Sequence, residues 1–155
     1  GDVRELDYGS GYDLVMMIYG ELNAFSSADA ALIIGKAHAA LKPGGTLLLE
    51  VHPAAFIQRL GQEPPSWHTA PHGLFSDQPY LCLVESRAEL DCAISSYYVF
   101  SADSDEMQQY TSMHHAYTDD EYRRLLGVFD RVLFYPSLTG LDDQSDLFVL
   151  VAEKA

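Results

Sequence analysis

An α/β fold built around parallel strands is what the chain predicts, on three observations. An apolar run at 12–19, an amphipathic stretch at 29–41 and a second apolar run at 46–51 follow one another as strand, helix and strand. That is the order and length of a βαβ unit, whose crossover joins two parallel strands. A capping signal and two further apolar runs after residue 117 then resume the pattern, while the stretch between has a different character.

The run Tyr12-Asp13-Leu14-Val15-Met16-Met17-Ile18-Tyr19 is almost continuously apolar and ends at Gly20. A strand covered on both faces by helices reads this way, so a central parallel strand is expected here. After the polar break Ser26-Ser27, Ala30, Ile33, Ile34, Ala37 and Leu41 recur at helical spacing, which is the stripe of an amphipathic helix. Its expected stop is Lys42-Pro43-Gly44-Gly45. A cation suits the negative end of a helix, proline disfavours helical geometry in the residue before it, and glycines admit positive φ. Thr46-Leu47-Leu48-Leu49-Glu50-Val51 is then the second strand.

From 53 to 115 the first half is broken by Pro64, Pro65, Pro71 and Pro79, and the second half alternates, as in Ala93-Ile94-Ser95-Ser96-Tyr97-Tyr98-Val99-Phe100. An inserted loop followed by antiparallel strands is expected. Thr118-Asp119-Asp120-Glu121 has the form of a capping box opening a helix that carries Tyr122, Leu125 and Leu126. Strands at 131–135 and 146–152 close the chain, the second apolar enough to be buried. With 155 residues, 48% of them hydrophobic, the chain suits one domain and is too short for two. Its expected division is an α/β core at 1–52 and 117–155, with 53–116 inserted as a lid or substrate-binding region.

Acidic side chains outnumber basic ones 23 to 9, and the resulting field repels phosphate backbones and anionic membrane surfaces. No nucleic acid and no membrane is expected as partner. No apolar run approaches the roughly 20 residues that span a bilayer, and the start, Gly1-Asp2-Val3-Arg4-Glu5, has no signal-like stretch. A soluble, cytoplasmic protein is expected. Cys82 and Cys92 lie in no metal-ligand or redox spacing, which predicts buried thiols in a reducing compartment.

Three segments taken in order carry a family resemblance: Gly1-Asp2-Val3-Arg4-Glu5-Leu6 in front, Tyr12-Asp13-Leu14-Val15 opening a strand, and Leu41-Lys42-Pro43-Gly44-Gly45-Thr46-Leu47 between helix and next strand. Together with the capped helix and the closing strands, this order resembles the class I S-adenosylmethionine-dependent methyltransferases. The resemblance covers about 1–52 and 114–154, and implies a partial Rossmann-like methyltransferase sheet whose insertion after the family's fifth strand sets substrate choice. The family's opening strand with its G-x-G-x-G loop, and the acidic residue ending its second strand, have no counterpart here. The resemblance therefore implies the C-terminal part of the domain, with the other half of the cofactor site supplied from elsewhere. Gly9-Ser10-Gly11 precedes a strand instead of joining strand to helix, so it reads as an ordinary turn. At Leu126-Gly127-Val128-Phe129 the chain also departs from the family's usual turn.

The resemblance implies S-adenosylmethionine as cofactor. Asp2 matches the family aspartate that accepts a hydrogen bond from the adenine amino group, with the Val3 backbone beside it; the other reading is a solvated aspartate. Ile18, Tyr19 and Gly20 end a strand of the sheet, and ligands of open α/β sheets bind outside the carboxyl ends of strands. His52 ends the next strand, where an imidazole acts as general base or caps the strand exit. Asn23 bonds substrate or caps a turn. Trp67 and Tyr117 are candidate substrate contacts, and His114, next to His115, is a second candidate catalytic histidine where lid and core meet. His68 and His72 have a spacing that holds a metal only on a helix, and the prolines around them oppose one, so no metal is expected. The tyrosines Tyr97, Tyr98 and Tyr110 pack or line an acceptor pocket. The clusters Asp103-Asp105-Glu106 and Asp142-Asp143-Asp146 lack the features of a calcium loop and read as solvated.

Methyl transfer is an in-line displacement, for which a protein supplies positioning, desolvation and at most a base for the acceptor's proton. The leading expectation is such a transfer to a small-molecule acceptor. The alternative, of a different class, is a non-catalytic methyltransferase-like module that binds a complementing chain or dimerises through an exposed sheet edge, since an open edge of apolar strand invites pairing.

Overall fold

The structure, a computed structural model, describes residues 1–137 and 146–155. Of the second acidic cluster, Asp142 and Asp143 lie outside the described residues. The chain divides into two compact units, Gly1–Phe56 with His115–Ala155, and Ile57–His114.

In the first unit, β1 (Tyr12–Met17) leads through a single 3-10 turn (Glu21–Ala24) into α1 (Ser27–Ala40) and then β2 (Leu41–Val51). The helix starts where Ser26 accepts the amide of Asp29 with its side chain, a satisfied N-cap. The two strands pair in parallel. A register shift between Tyr12 and Leu14 takes up 42–45, so the expected Lys-Pro-Gly-Gly turn is instead an irregular opening of β2. Gly44 turns there at φ 77.

After the second unit comes α3 (Asp119–Leu125), opened by a complete capping box between Thr118 and Glu121. It leads into β7 (Arg131–Tyr135) and β8 (Phe148–Glu153), the numbers β3 to β6 belonging to the second unit. The sheet order is β1-β2-β8-β7, and β8 runs antiparallel to both of its neighbours. Val15 and Met17, then Leu47, Leu49 and Val51, then Leu150 and Ala152 share one face with Ile34 and Ala37 of α1 and Tyr122 and Leu126 around α3 in a single core.

Within this chain β1, expected to be central, stands at the end of the sheet order, and on its open side, away from α1, Tyr12, Leu14 and Met16 are 48%, 49% and 62% exposed. Leu48, paired with Met16, and Leu133 and Val151 beyond it are partly exposed on that same open side.

The second unit holds α2 from Ile57 onward (the helix is Ala54–Leu60), β3 (Ser66–Ala70), β4 (Tyr80–Glu89), β5 (Cys92–Ser101) and β6 (Gln108–His115). The four strands form one sheet in the order β3-β4-β5-β6. Antiparallel strands were expected at 93–100; α2 and β3 were not, because the stretch read as a proline-broken loop. Pro53 immediately precedes α2, where a missing N–H costs nothing, and Pro65 and Pro71 flank β3 instead of interrupting it. On one face Tyr80, Cys82 and Val99 are buried with Phe75 packed against them. On the other, Trp67, Leu83 and Tyr98 lie in one cross-strand row and Leu81 and Phe100 in the next. Neither cysteine is in a disulfide; Cys82 is fully buried and Cys92 only partly, and burial raises both thiols above their ordinary range.

Candidate functional site

At the exits of β1 and β2 the backbone leaves ordinary strand geometry. Tyr19 and Gly20 are both left-handed, at φ 62 and φ 72. For a residue with a Cβ this conformation is costly and persists only where the surroundings impose it. Here the Tyr19 amide donates to Glu50 Oε2 at 2.9 Å, and the Gly20 amide to the Glu50 carbonyl at 3.0 Å. The Tyr19 ring is left 73% exposed beside this turn.

His52 follows directly. Its imidazole lies over Gly20, so closely that a Cβ there would fall 2.3 Å from both Cδ2 and Nε2. Nδ1 bonds the carbonyl of Asp146. A carbonyl only accepts, so Nδ1 carries the proton and, in the neutral ring, Nε2 carries the lone pair. Phe56 stacks on the imidazole with centroids 4.3 Å apart. His52 thus has a set tautomer and a set plane.

Beneath it lies a buried polar knot. Asn23, with no exposed surface, accepts the His52 amide at 2.9 Å, and donates to the His115 carbonyl at 2.8 Å and to the Tyr122 hydroxyl at 2.9 Å. Tyr122 passes the chain on by donating to the His52 carbonyl at 3.0 Å, and its burial raises the phenol well above the ordinary range. Tyr117, only 5% exposed, donates to the Phe25 carbonyl at 2.6 Å. Asn23 and Tyr117, the first expected either to bond substrate or to cap a turn and the second to touch substrate, are both buried, and the polar atoms named here are engaged within the chain.

The N-terminal turn is pinned to the same core. Lys36 of α1 donates to the carbonyls of Arg4 and Leu6, each at 2.7 Å, and the Tyr8 hydroxyl to the Val3 carbonyl at 2.8 Å. Val3, Tyr8, Met16, Met17 and Ile33 help line an apolar cavity of about 170 Å³. Asp2 is held from the side: Arg4 reaches both of its oxygens, the shortest contact being 2.6 Å, and the Arg4 amide adds a bond at 2.9 Å. Chiefly through the Arg4 side chain, the Asp2 carboxyl is lowered from 3.8 to about 2.

Asp2, Val3, Ile18, Tyr19, Gly20, Asn23, His52 and Tyr117 thus all belong to the first unit, with Tyr19, Gly20, Asn23 and His52 joined directly. Trp67, 70% exposed in β3, and His114, near the end of β6, belong to the second. Glu50, Tyr122 and the Asp146 carbonyl were not singled out from sequence. Glu50 did carry a signal: it is the one charged residue in an otherwise apolar strand segment, next to the last position.

A parallel pair joined by α1, with an antiparallel β8 inserted beside β2 and an all-antiparallel insertion after it, defines the fold of the S-adenosylmethionine-dependent methyltransferases. The solved structures it resembles include such an enzyme from Clostridium acetobutylicum, with TM-score 0.76 and 13% identity over 100% of this chain and 63% of that one. A sugar N-methyltransferase from a Streptoalloteichus species matches with TM-score 0.72 and 15% identity, over 99% and 60%. The CcbJ methyltransferase of Streptomyces caelestis matches with TM-score 0.69 and 18% identity, over 100% and 62%. The chain thus spans 60–63% of the length of these neighbours. No family model and no curated protein matches the sequence.

Proposed function

We propose that the chain is part of an S-adenosylmethionine-dependent methyltransferase acting on a small-molecule acceptor. The observation that carries this reading is the junction of Tyr19-Gly20 with His52 at the carboxyl ends of two parallel strands, where ligands of such sheets bind. That the neighbours include a sugar N-methyltransferase and an amino pentose methyltransferase supports a small polar acceptor.

The residues present fit the cofactor in two respects. Asp2 is a carboxylate, hence an acceptor only, as an adenine amino group requires. Gly20 has no room for a side chain because the His52 imidazole lies directly over it, so the end of the first strand and the candidate base are in contact. Asp2, Val3, Ile18, Tyr19 and Gly20 would hold S-adenosylmethionine, which when bound supplies an electrophilic methyl group on a sulfonium. His52, its tautomer set by Asp146, receives the acceptor's proton at Nε2. Asn23 and Tyr122 keep its backbone in place. Two cysteines outside any disulfide suit a cytoplasmic setting, and no helix among the described residues is long and apolar enough to cross a membrane.

One observation favours a second reading. β1 is an edge strand with three large apolar side chains about half exposed, which suits pairing with a second copy or a complementing chain. Calorimetry with S-adenosylhomocysteine separates the two readings. Micromolar binding, lost in Asp2→Ala, supports the enzyme. A folded chain that does not bind, yet sediments as a dimer, supports the module.

A further inference from the structure

Among the described residues, Glu50 is the only acidic or basic residue in the buried class, at 5% exposure, and the chemistry proposed above gives it no task. Removing a carboxylate from water is costly unless something in the protein repays it. The structure shows what does. Successive amides of an extended strand point to opposite sides, but the left-handed Tyr19 swings two consecutive N–H groups, its own and that of Gly20, onto the one residue Glu50. The side chain takes the first and the backbone carbonyl takes the second.

The arrangement is reciprocal. Glu50, on β2, holds the amide at the exit of β1. Asn23, just after the exit of β1, holds the His52 amide at the exit of β2. Tyr122 joins Asn23 to the His52 carbonyl from a third element. Each strand exit is thereby braced by a side chain from the other.

We infer that Glu50 is a positioning residue of the candidate site: its carboxylate holds Tyr19 left-handed, which leaves the Tyr19 ring exposed at the strand exit and seats Gly20 against the His52 imidazole, while Asn23 does the matching work for His52. The inference rests on the reading of this junction as the cofactor site. It requires the acceptor oxygen of Glu50 and not its charge, which distinguishes it from direct attraction of a cationic ligand.

The test compares Glu50→Ala and Glu50→Gln in the full chain, with two readouts. The Tyr19 Cα and Cβ chemical shifts report the backbone conformation, and calorimetry reports S-adenosylhomocysteine affinity. In Glu50→Ala the shifts should leave the left-handed pattern and affinity should fall about tenfold, the scale of one lost hydrogen bond. Glu50→Gln keeps an acceptor and should restore both. A left-handed Tyr19 in folded Glu50→Ala overturns the inference, and so does a Glu50→Gln variant as impaired as Glu50→Ala. If Glu50→Ala does not fold, adding Tyr19→Gly should recover folding, because glycine adopts this φ unaided; failure to recover also overturns it. Should the native chain bind no S-adenosylhomocysteine, the cofactor reading fails while the Tyr19 shifts still decide the brace.

Discussion

The His52 imidazole occupies the space that a side chain on residue 20 would need. A Cβ on Gly20 would lie 2.3 Å from two ring atoms, and φ there is 72. Gly20→Ala must therefore accept left-handed strain and also turn the imidazole off the Asp146 carbonyl. A loss of about 2–3 kcal/mol is expected, measured by urea unfolding. Gly44→Ala is the control. Its φ is 77, with nothing within 4 Å of the added carbon, so only the conformational part, about 1–2 kcal/mol, should be lost.

Asn23→Ala removes a fully buried amide that makes three hydrogen bonds, to the His52 amide, the His115 carbonyl and the Tyr122 hydroxyl. The expected cost is about 2–4 kcal/mol, again from urea unfolding.

Tyr122 makes stability depend on alkaline pH. Burial is the main cause of its raised phenol pKa. A group whose pKa is higher in the folded state stabilises fully below its unfolded value, here 10.0, and loses that contribution as pH rises beyond it. Above about pH 10 the native chain should lose stability more steeply than Tyr122→Phe. Ultraviolet titration of the ten tyrosines should show a last phenolate appearing together with unfolding. Equal slopes for the two proteins would contradict the assignment.

Asp2 behaves in the opposite sense. Its carboxyl is lowered to about 2, so the pairing with Arg4 persists down the acid range and is lost only as pH falls through that value. Carbon NMR of the side chain should give a midpoint near 2 in the native chain. In Arg4→Ala the midpoint should move part of the way back to 3.8, because the backbone amide of residue 4 still donates.

Much of the first unit was legible because its signals are local. The stripe of α1, the Ser26 break before it and the capping box at Thr118 each depend on residues within a turn or two of one another. The same holds for the apolar runs of β1, β2 and β8. Position within the sheet is different: Leu14 and Met16 read as core residues, yet lie half exposed on an edge strand, because a strand's neighbours are chosen by pairings far away in sequence. In the inserted unit, α2 and β3 escaped notice because proline was read as a breaker where it serves as a boundary.

The site divides along the same line. By itself the sequence determined that Tyr19, Gly20 and His52 close consecutive strands of the chain, since where a strand ends follows from local pattern. Only the tertiary structure decided that Asn23 and Tyr117 are sealed inside, that Glu50 is bonded to the Tyr19 amide, and that the Asp146 carbonyl sets the His52 tautomer. Those contacts join residues 29 to 94 positions apart, and hydrogen-bond partners at such separations are assigned by packing geometry, which leaves no periodic trace in the chain.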